Sequence, residues 1–244
     1  MNCPVAPPSQ RRSATVVRFR SALAVSLLST GLLLLAPATV AHAQSRTGQD
    51  LAPFFPLQTG DLWTYEAEGG ASWARTVTAA GVGDDGLATY RLDESSQDHR
   101  LQRWQSEGLV LLSLHFAGGL DIEYETPVLL VPSDLAVGST HQVEARYRVT
   151  ELGVPSHSGT QTFEVERLRD RALQTPAGGF ENCLVLRIRS RRESESGAVA
   201  ESTLRQTRAA GVGLVEIQRV PGPSGQEAWT ASLTGASVGG RLVP

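Results

Sequence analysis

Between Asp61 and Gly235 apolar and polar residues alternate with a period of two, and the 3.6-residue rhythm of a helix is almost absent. "DLWTYEA" sets Trp63, Tyr65 and Ala67 on one face. "SWARTVTA" and "LATYRLDE" follow, split by "GVGDDG", whose glycines and aspartates mark a tight turn. "HRLQRWQS" leads through a short turn into "LVLLSLHF", apolar enough to predict a strand buried on both faces. After "GGLDIEYE", the stretch "PVLLVPSDLAVGSTH" contains two prolines and predicts a bent connector. The second half has longer runs. "HQVEARYRVT" turns Val143, Ala145, Tyr147 and Val149 one way and Glu144, Arg146 and Arg148 the other. "TQTFEVERLRD" and "FENCLVLRIRSRR" repeat the pattern, with Phe163 and Val165, then Leu184, Leu186 and Ile188, on the apolar side. "ESTLRQTR", "GLVEIQRV" and "QEAWTASLTG" complete the series. Roughly a dozen strands at turn spacing predict an antiparallel all-β domain. No βαβ unit is present, so "GVGDDG" and "GVGLV" are turns and not nucleotide loops.

The N-terminal stretch follows a different rule. Arg11, Arg12, Arg18 and Arg20 precede the uncharged run Ser21 to Val40, and Ala41 and Ala43 frame a small-x-small exit. That is the pattern of a secretory signal peptide, with cleavage after Ala43, and Pro37 favours cleavage over an uncleaved anchor. The paired arginines only weakly match the twin-arginine route, because "RRSATVV" lacks its Phe-Leu continuation. The expected layout is a signal over 1–43, a flexible arm over 44–53, one β domain over 54–235 and a tail over 236–244. The destination is the periplasm or the outside of the cell, with no membrane span after cleavage.

Export changes the charge. Four of the 22 basic residues leave with the signal, so 18 face 25 acids and the mature chain carries −7 rather than −3. Every basic residue is arginine. A net negative surface argues against nucleic acid as a partner. Cys3 leaves too, and Cys183 alone cannot form an internal disulfide. Glu-rich and Arg-rich outer faces occur on successive strands, which predicts cross-strand ion pairs for "RIRSRR". A basic ligand patch is the alternative.

Catalytic constellations are not evident. Cys183 has no histidine in a recognisable partner motif among His99, His115, His141 and His157, and no G-x-S-x-G elbow exists. No zinc or calcium signature occurs. Asp121, Glu123 and Glu125 share a strand face, but a solvated face gives the same pattern. Asp84 and Asp85 in their turn carry the same discount. No metal, cofactor or catalytic residue is therefore assigned.

"FFPLQTGDLWTYE" resembles the F-P-L-x-x-G-x-x-W-x-Y start of a loose set of secreted bacterial proteins of unknown function. "LLVPSDLAVGSTHQVEA", "LQTPAGGFENCLVLRIR" and "AAGVGLVEI" resemble that set's later segments, in the same order. "RQTRAAGVG" departs from it by lacking an aromatic. The resemblance implies a strongly curved antiparallel sheet, half-barrel or barrel-like, similar to that of periplasmic lipoprotein carriers; a two-sheet β-sandwich is the alternative. It brings no catalytic residues. Its motif residues have structural roles: Gly60, Gly138, Gly178 and Gly213 at turns, and Trp63, Tyr65 and Phe180 as buried bulk. The opening stretch is thus expected to start the sheet.

The functional expectation is a binding module of the cell envelope for a lipid or other apolar or amphipathic small molecule. Trp104, Leu109, Leu111, Leu114, Phe116 and Leu129 would lie near the ligand. A structural domain that meets an envelope protein partner through its surface is the second expectation, and a secreted hydrolase the third. One consequence is directly measurable: the exported protein should begin at Gln44, as N-terminal sequencing would report.

Overall fold

The computed structural model describes residues 50–83, 85–94, 97–221 and 227–243; the signal, most of the arm and Asp84 lie outside them. Among the described residues thirteen strands follow in order: β1 (Leu62–Ala67), β2 (Ser72–Val82), β3 (Ala88–Glu94), β4 (His99–Gln105), β5 (Gly108–Phe116), β6 (Leu120–Pro132), β7 (Thr140–Glu151), β8 (Val154–Thr175), β9 (Gly178–Ser194), β10 (Val199–Ala209), β11 (Gly213–Val220), β12 (Trp229–Val238) and β13 (Arg241–Val243). Each pairs antiparallel with its sequence neighbours, and β1 also pairs with β12. That last ladder, from Leu62↔Ser237 to Ala67↔Ala231, closes twelve strands into a barrel, with β13 added along β12. Closure removes the exposed edges that an open sheet would present. No helix among the described residues is long and apolar enough to cross a membrane.

Alternation sends one side of every strand inward. There the side chains form two apolar cores, one around Leu51, Trp63, Val77, Leu109, Leu186 and Leu233, the other around Leu111, Ile122, Tyr124, Tyr147, Val149 and Phe163. Leu130 packs against both. The outward side carries the expected ion-pair ladders. Arg187 meets Glu166, Arg189 meets Glu164 at 2.5 Å, and Arg191 meets Glu201 at 3.4 Å. On exposed strands each pair contributes at most about 1 kcal/mol, so these ladders set register more than stability.

One end of the barrel is stoppered by the residues that precede β1. Leu51, Phe54, Phe55 and Leu57 are buried there, around a short 3-10 turn at Ala52–Phe54. Backbone hydrogen bonds fasten this plug: Leu51 N–H donates to Ser133 O at 3.3 Å, and Gly211 N–H to Pro53 O at 2.7 Å. Asp61, only 2 % exposed, accepts from Gln58 N–H at 3.0 Å and Gly239 N–H at 2.8 Å. "FFPLQTGDLWTYE" therefore plugs the barrel before it starts the sheet. Trp63 Nε1–H donates to Val212 O at 2.6 Å and Tyr65 Oη–H to Leu214 O at 3.0 Å, which joins the start of the domain to "GVGLV". Gly213 lies between them at φ +92°, where a Cβ would approach Pro56 Cγ to 3.1 Å.

Three local expectations are corrected. Leu51, grouped above with the polar arm, is fully buried; one leucine in a polar run gives no periodic signal. The tail over 236–244 contains the end of β12 and all of β13, whose three residues are too few to show alternation. "PVLLVP" is part of β6 and not a connector. Pro127 is tolerated there because β6 pairs with β7 only as far as Tyr124, and the β5 register skips from Glu123 to Val128.

Gly213→Ala should lower stability by about 1–3 kcal/mol, since it combines a left-handed backbone with a crowded Cβ. Trp63→Phe should cost a similar amount through the orphaned Val212 carbonyl. The two effects should be non-additive in a denaturant double-mutant cycle, because both residues pack at one joint.

Candidate functional site

The inward face also receives charge. Register places Arg75 opposite Trp63, Arg100 opposite Leu92, Arg192 opposite Gln161, Arg208 opposite Leu184 and Arg219 opposite Trp229, all on the lumen side. Strict alternation puts them there. Arg75 lies between Trp73 and Val77 in "WARTV", Arg208 two residues after Gln206, and Arg219 two after Ile217. That parity was available in the sequence, but arginine's preference for outer faces hid it.

Three of these guanidiniums form one cluster beneath the plug. Arg75 Nη2 and Arg100 Nη2 both donate to Glu94 Oε1, at 2.6 and 2.8 Å. Burial alone would raise the Glu94 pKa, but Arg75 and then Arg100 outweigh it and bring the carboxyl to about 2. Arg208 meets no carboxylate among the described residues. Its Nε and Nη2 donate to Gln206 Oε1 at 3.2 and 2.9 Å, its Nη1 reaches Phe54 O at 3.4 Å, and its Cζ sits 4.2 Å over the Phe55 ring. Burial, followed by repulsion from Arg75 and Arg100, pushes the Arg208 guanidinium toward losing its proton. Arginine holds its proton in proteins, so the cluster keeps three positive charges against one negative. Like charges confined together away from bulk water repel more strongly than in solvent, which makes the imbalance costly. Tyr65 does not relieve it: burial pushes its hydroxyl up to about 12, so it stays neutral.

Aromatic rings cover the cluster. Phe55 stacks on Trp104 at 5.4 Å between centroids, and Arg75 Cζ lies 5.8 Å over Tyr65. Beyond Tyr65 the series continues with Trp73 at 5.5 Å and Trp229 at 5.9 Å, the latter under Arg219. In the second core Tyr124 Oη–H donates to Gln161 Oε1 at 2.8 Å, and Arg192 lies 5.6 Å over Tyr147. Near it opens a cleft of about 480 Å³ whose walls include Glu125, Arg146, Arg148 and Glu193, both signs of charge together.

Five of the six residues expected near a ligand face the lumen. Trp104 and Leu109 belong to the first core, Leu111 to the second, and Leu114 and Phe116 are half-buried against the second. Leu129 does not: it pairs with Val110 on the opposite face, and its carbonyl meets His141 Nε2 at 2.9 Å. Among the motif residues, Trp63, Tyr65 and Gly213 meet at the plug, while Gly60 and Gly138 sit in turns and Gly178 opens β9, all three with positive φ. Phe180 packs against the first core near the tip of the β8–β9 hairpin, where Ala177 N–H donates to Leu233 O at 3.1 Å. Cys183 is fully buried, burial pushes its thiol up, and its sulfur faces Phe180 O at 3.6 Å. On the outer face His99 stacks on His115 at 4.3 Å, and His115 contacts Asp121. Among the described residues no three His, Cys, Asp or Glu gather into a metal-holding group.

No family model and no curated protein matches the chain. Among solved structures, a lipoprotein candidate from Parabacteroides distasonis aligns over 75 % of this chain and 97 % of its own, with 14 % identity and a TM-score of 0.49. A candidate exported protein with a YmcC-like fold from Bacteroides fragilis aligns over 74 % and 97 %, with 12 % identity and a TM-score of 0.47. The hypothetical lipoprotein YmcC of Escherichia coli aligns over 71 % and 86 %, with 10 % identity and a TM-score of 0.41.

Glu94→Gln should be among the most destabilising single changes, at about 3–5 kcal/mol, because it leaves a cationic cluster without its counter-charge. The depressed Glu94 pKa also sets a pH signature. Its contribution is complete above the ordinary value of 4.5 and is lost as pH falls from there towards about 2. Chemical denaturation across that window should show the loss in wild type and a flatter profile in Glu94→Gln.

Proposed function

We propose that this is an exported, non-catalytic binding protein of the cell envelope whose barrel lumen takes an amphipathic small molecule. The observation that carries the reading is the make-up of the inner face: two apolar cores, the first of which surrounds guanidiniums that outnumber their carboxylate. A lumen built only for stability gains nothing from Arg208 and Arg219, since apolar residues of similar volume would pack without the desolvation cost. The same composition serves a ligand with an apolar body and a polar end. The outward ion-pair ladders support a barrel surrounded by water, because a membrane-spanning barrel carries the opposite arrangement, apolar outside and polar within. The signal sequence supports delivery to the envelope. The plug covers one end of the lumen, so entry from that end involves displacement of Phe55 and its neighbours.

Native mass spectrometry of the chain from Gln44 to Pro244, recovered from a secretory host, tests the reading. A stoichiometric adduct that denaturation releases and organic solvent extracts is the expected result. An apo mass that stays unchanged after incubation with envelope lipids would contradict it and leave a surface-acting interaction domain in its place.

A further inference from the structure

The void under the plug is about 20 Å³, room for one water-sized sphere, and its walls include Phe55, Leu57, Tyr65, Arg75, Gln102 and Arg208. Arg75 is 5 % exposed, and its Nε is buried without a hydrogen-bond partner although Nη2 is committed to Glu94. Arg208 has no carboxylate, only the Gln206 amide and a long contact to Phe54 O. Arg75, buried, and Arg208, half-buried, thus border a space of atomic size with positive charge in excess. We propose that this void is an anion site, in which a small singly charged anion sits between Arg75 and Arg208 beneath Phe55.

Its size selects the occupant. A halide ion or one carboxylate end fits the void, whereas a tetrahedral oxyanion needs the plug to shift. A guanidinium N–H donor left without an acceptor in a buried site is costly, and an anion supplies both the missing acceptor and the missing charge. Phe55 would then act as a lid. Its ring face is already turned to Arg208, so the anion is met by guanidinium edges and not by the negative ring face. The shared chemistry of the occupant is a compact monoanion, whose source is either a free ion or the carboxylate head of an amphiphile. The inference rests on the lumen being the binding region proposed above, but not on the ligand having an apolar tail.

Thermal unfolding at fixed ionic strength separates these cases, with methanesulfonate, whose tetrahedral head does not fit the void, as the reference anion replaced stepwise by chloride, acetate or decanoate. Wild type should gain roughly 5–10 °C in Tm over about a hundredfold range above the dissociation constant of the bound anion. Arg208→Met should begin at a higher Tm in methanesulfonate and lose the response. Bromide-soaked wild-type crystals should place anomalous density between Arg75 and Arg208. A response to decanoate without one to chloride or acetate would assign the anion to an amphiphile head, and a response to all three would assign it to a free ion. Equal binding of decanoate and decanol, unchanged in Arg208→Met, would overturn the anion site while leaving lumen binding intact. No response to any anion, together with an empty void in bromide crystals, would also overturn it. Should Arg208→Met fail to fold, the wild-type titrations and the bromide position decide.

Discussion

Closure of the first strand on the twelfth is the constraint on which the rest depends. An antiparallel meander of this length has two edges, and pairing Leu62–Ala67 with Ala231–Ser237 removes both along most of their length. Closure also creates an inside, and only an inside makes the plug, the two cores and the buried arginines meaningful. The joint is fastened chemically as well as by the ladder. Trp63 and Tyr65 each donate across the lumen end to the backbone of "GVGLV", 149 residues away, and Pro56 fills the space that Gly213 leaves. Contacts of such separation are expensive to form during folding, which argues that β1 and the plug dock late on a nearly complete sheet.

The same interior contains an unresolved tension. Burial of an arginine beside other arginines is unfavourable unless something offsets it, and Glu94 offsets only part. Aromatic faces add a further part of the local compensation, with Phe55, Tyr65 and Trp229 each under a guanidinium. Such an arrangement is what a protein retains when a site needs charge more than the fold needs stability. The plug is short, carries no strand pairing of its own and is tied by a few backbone hydrogen bonds, so it is suited to open locally.

Much of the fold was legible in the sequence because β periodicity is a local property. Trp63 with Tyr65, the Val143 to Val149 face and the Leu184 to Ile188 face all point where their alternation says. The outer Arg–Glu ladders followed from charge on adjacent strands. Closure into a barrel was not legible, because nothing in Leu62–Ala67 identifies Ala231–Ser237 as its partner. Of the residues expected near a ligand, those from Trp104 to Phe116 face the lumen, while Leu129 was misplaced because the register skips Leu130 and so puts Leu129 on the opposite face from its near neighbour Val131. The arginine cluster was missed for a different reason. Its parity was on the page in "WARTV" and "RQTR", yet a charged residue at an inward position is normally a sign of a surface strand, and only the three-dimensional meeting of Arg75, Arg100 and Arg208 gives it significance.

Amide hydrogen exchange over residues 50–60, with and without decanoate, tests most directly whether the lumen is a site behind a movable plug. The account predicts that the plug amides open well before those of β7, β8 and β9, and that bound decanoate changes their exchange while the outer ladders stay as they were. Plug amides as protected as the central strands, and indifferent to the amphiphile, would mean that the barrel is a sealed structural body and that its inner charge serves the fold alone.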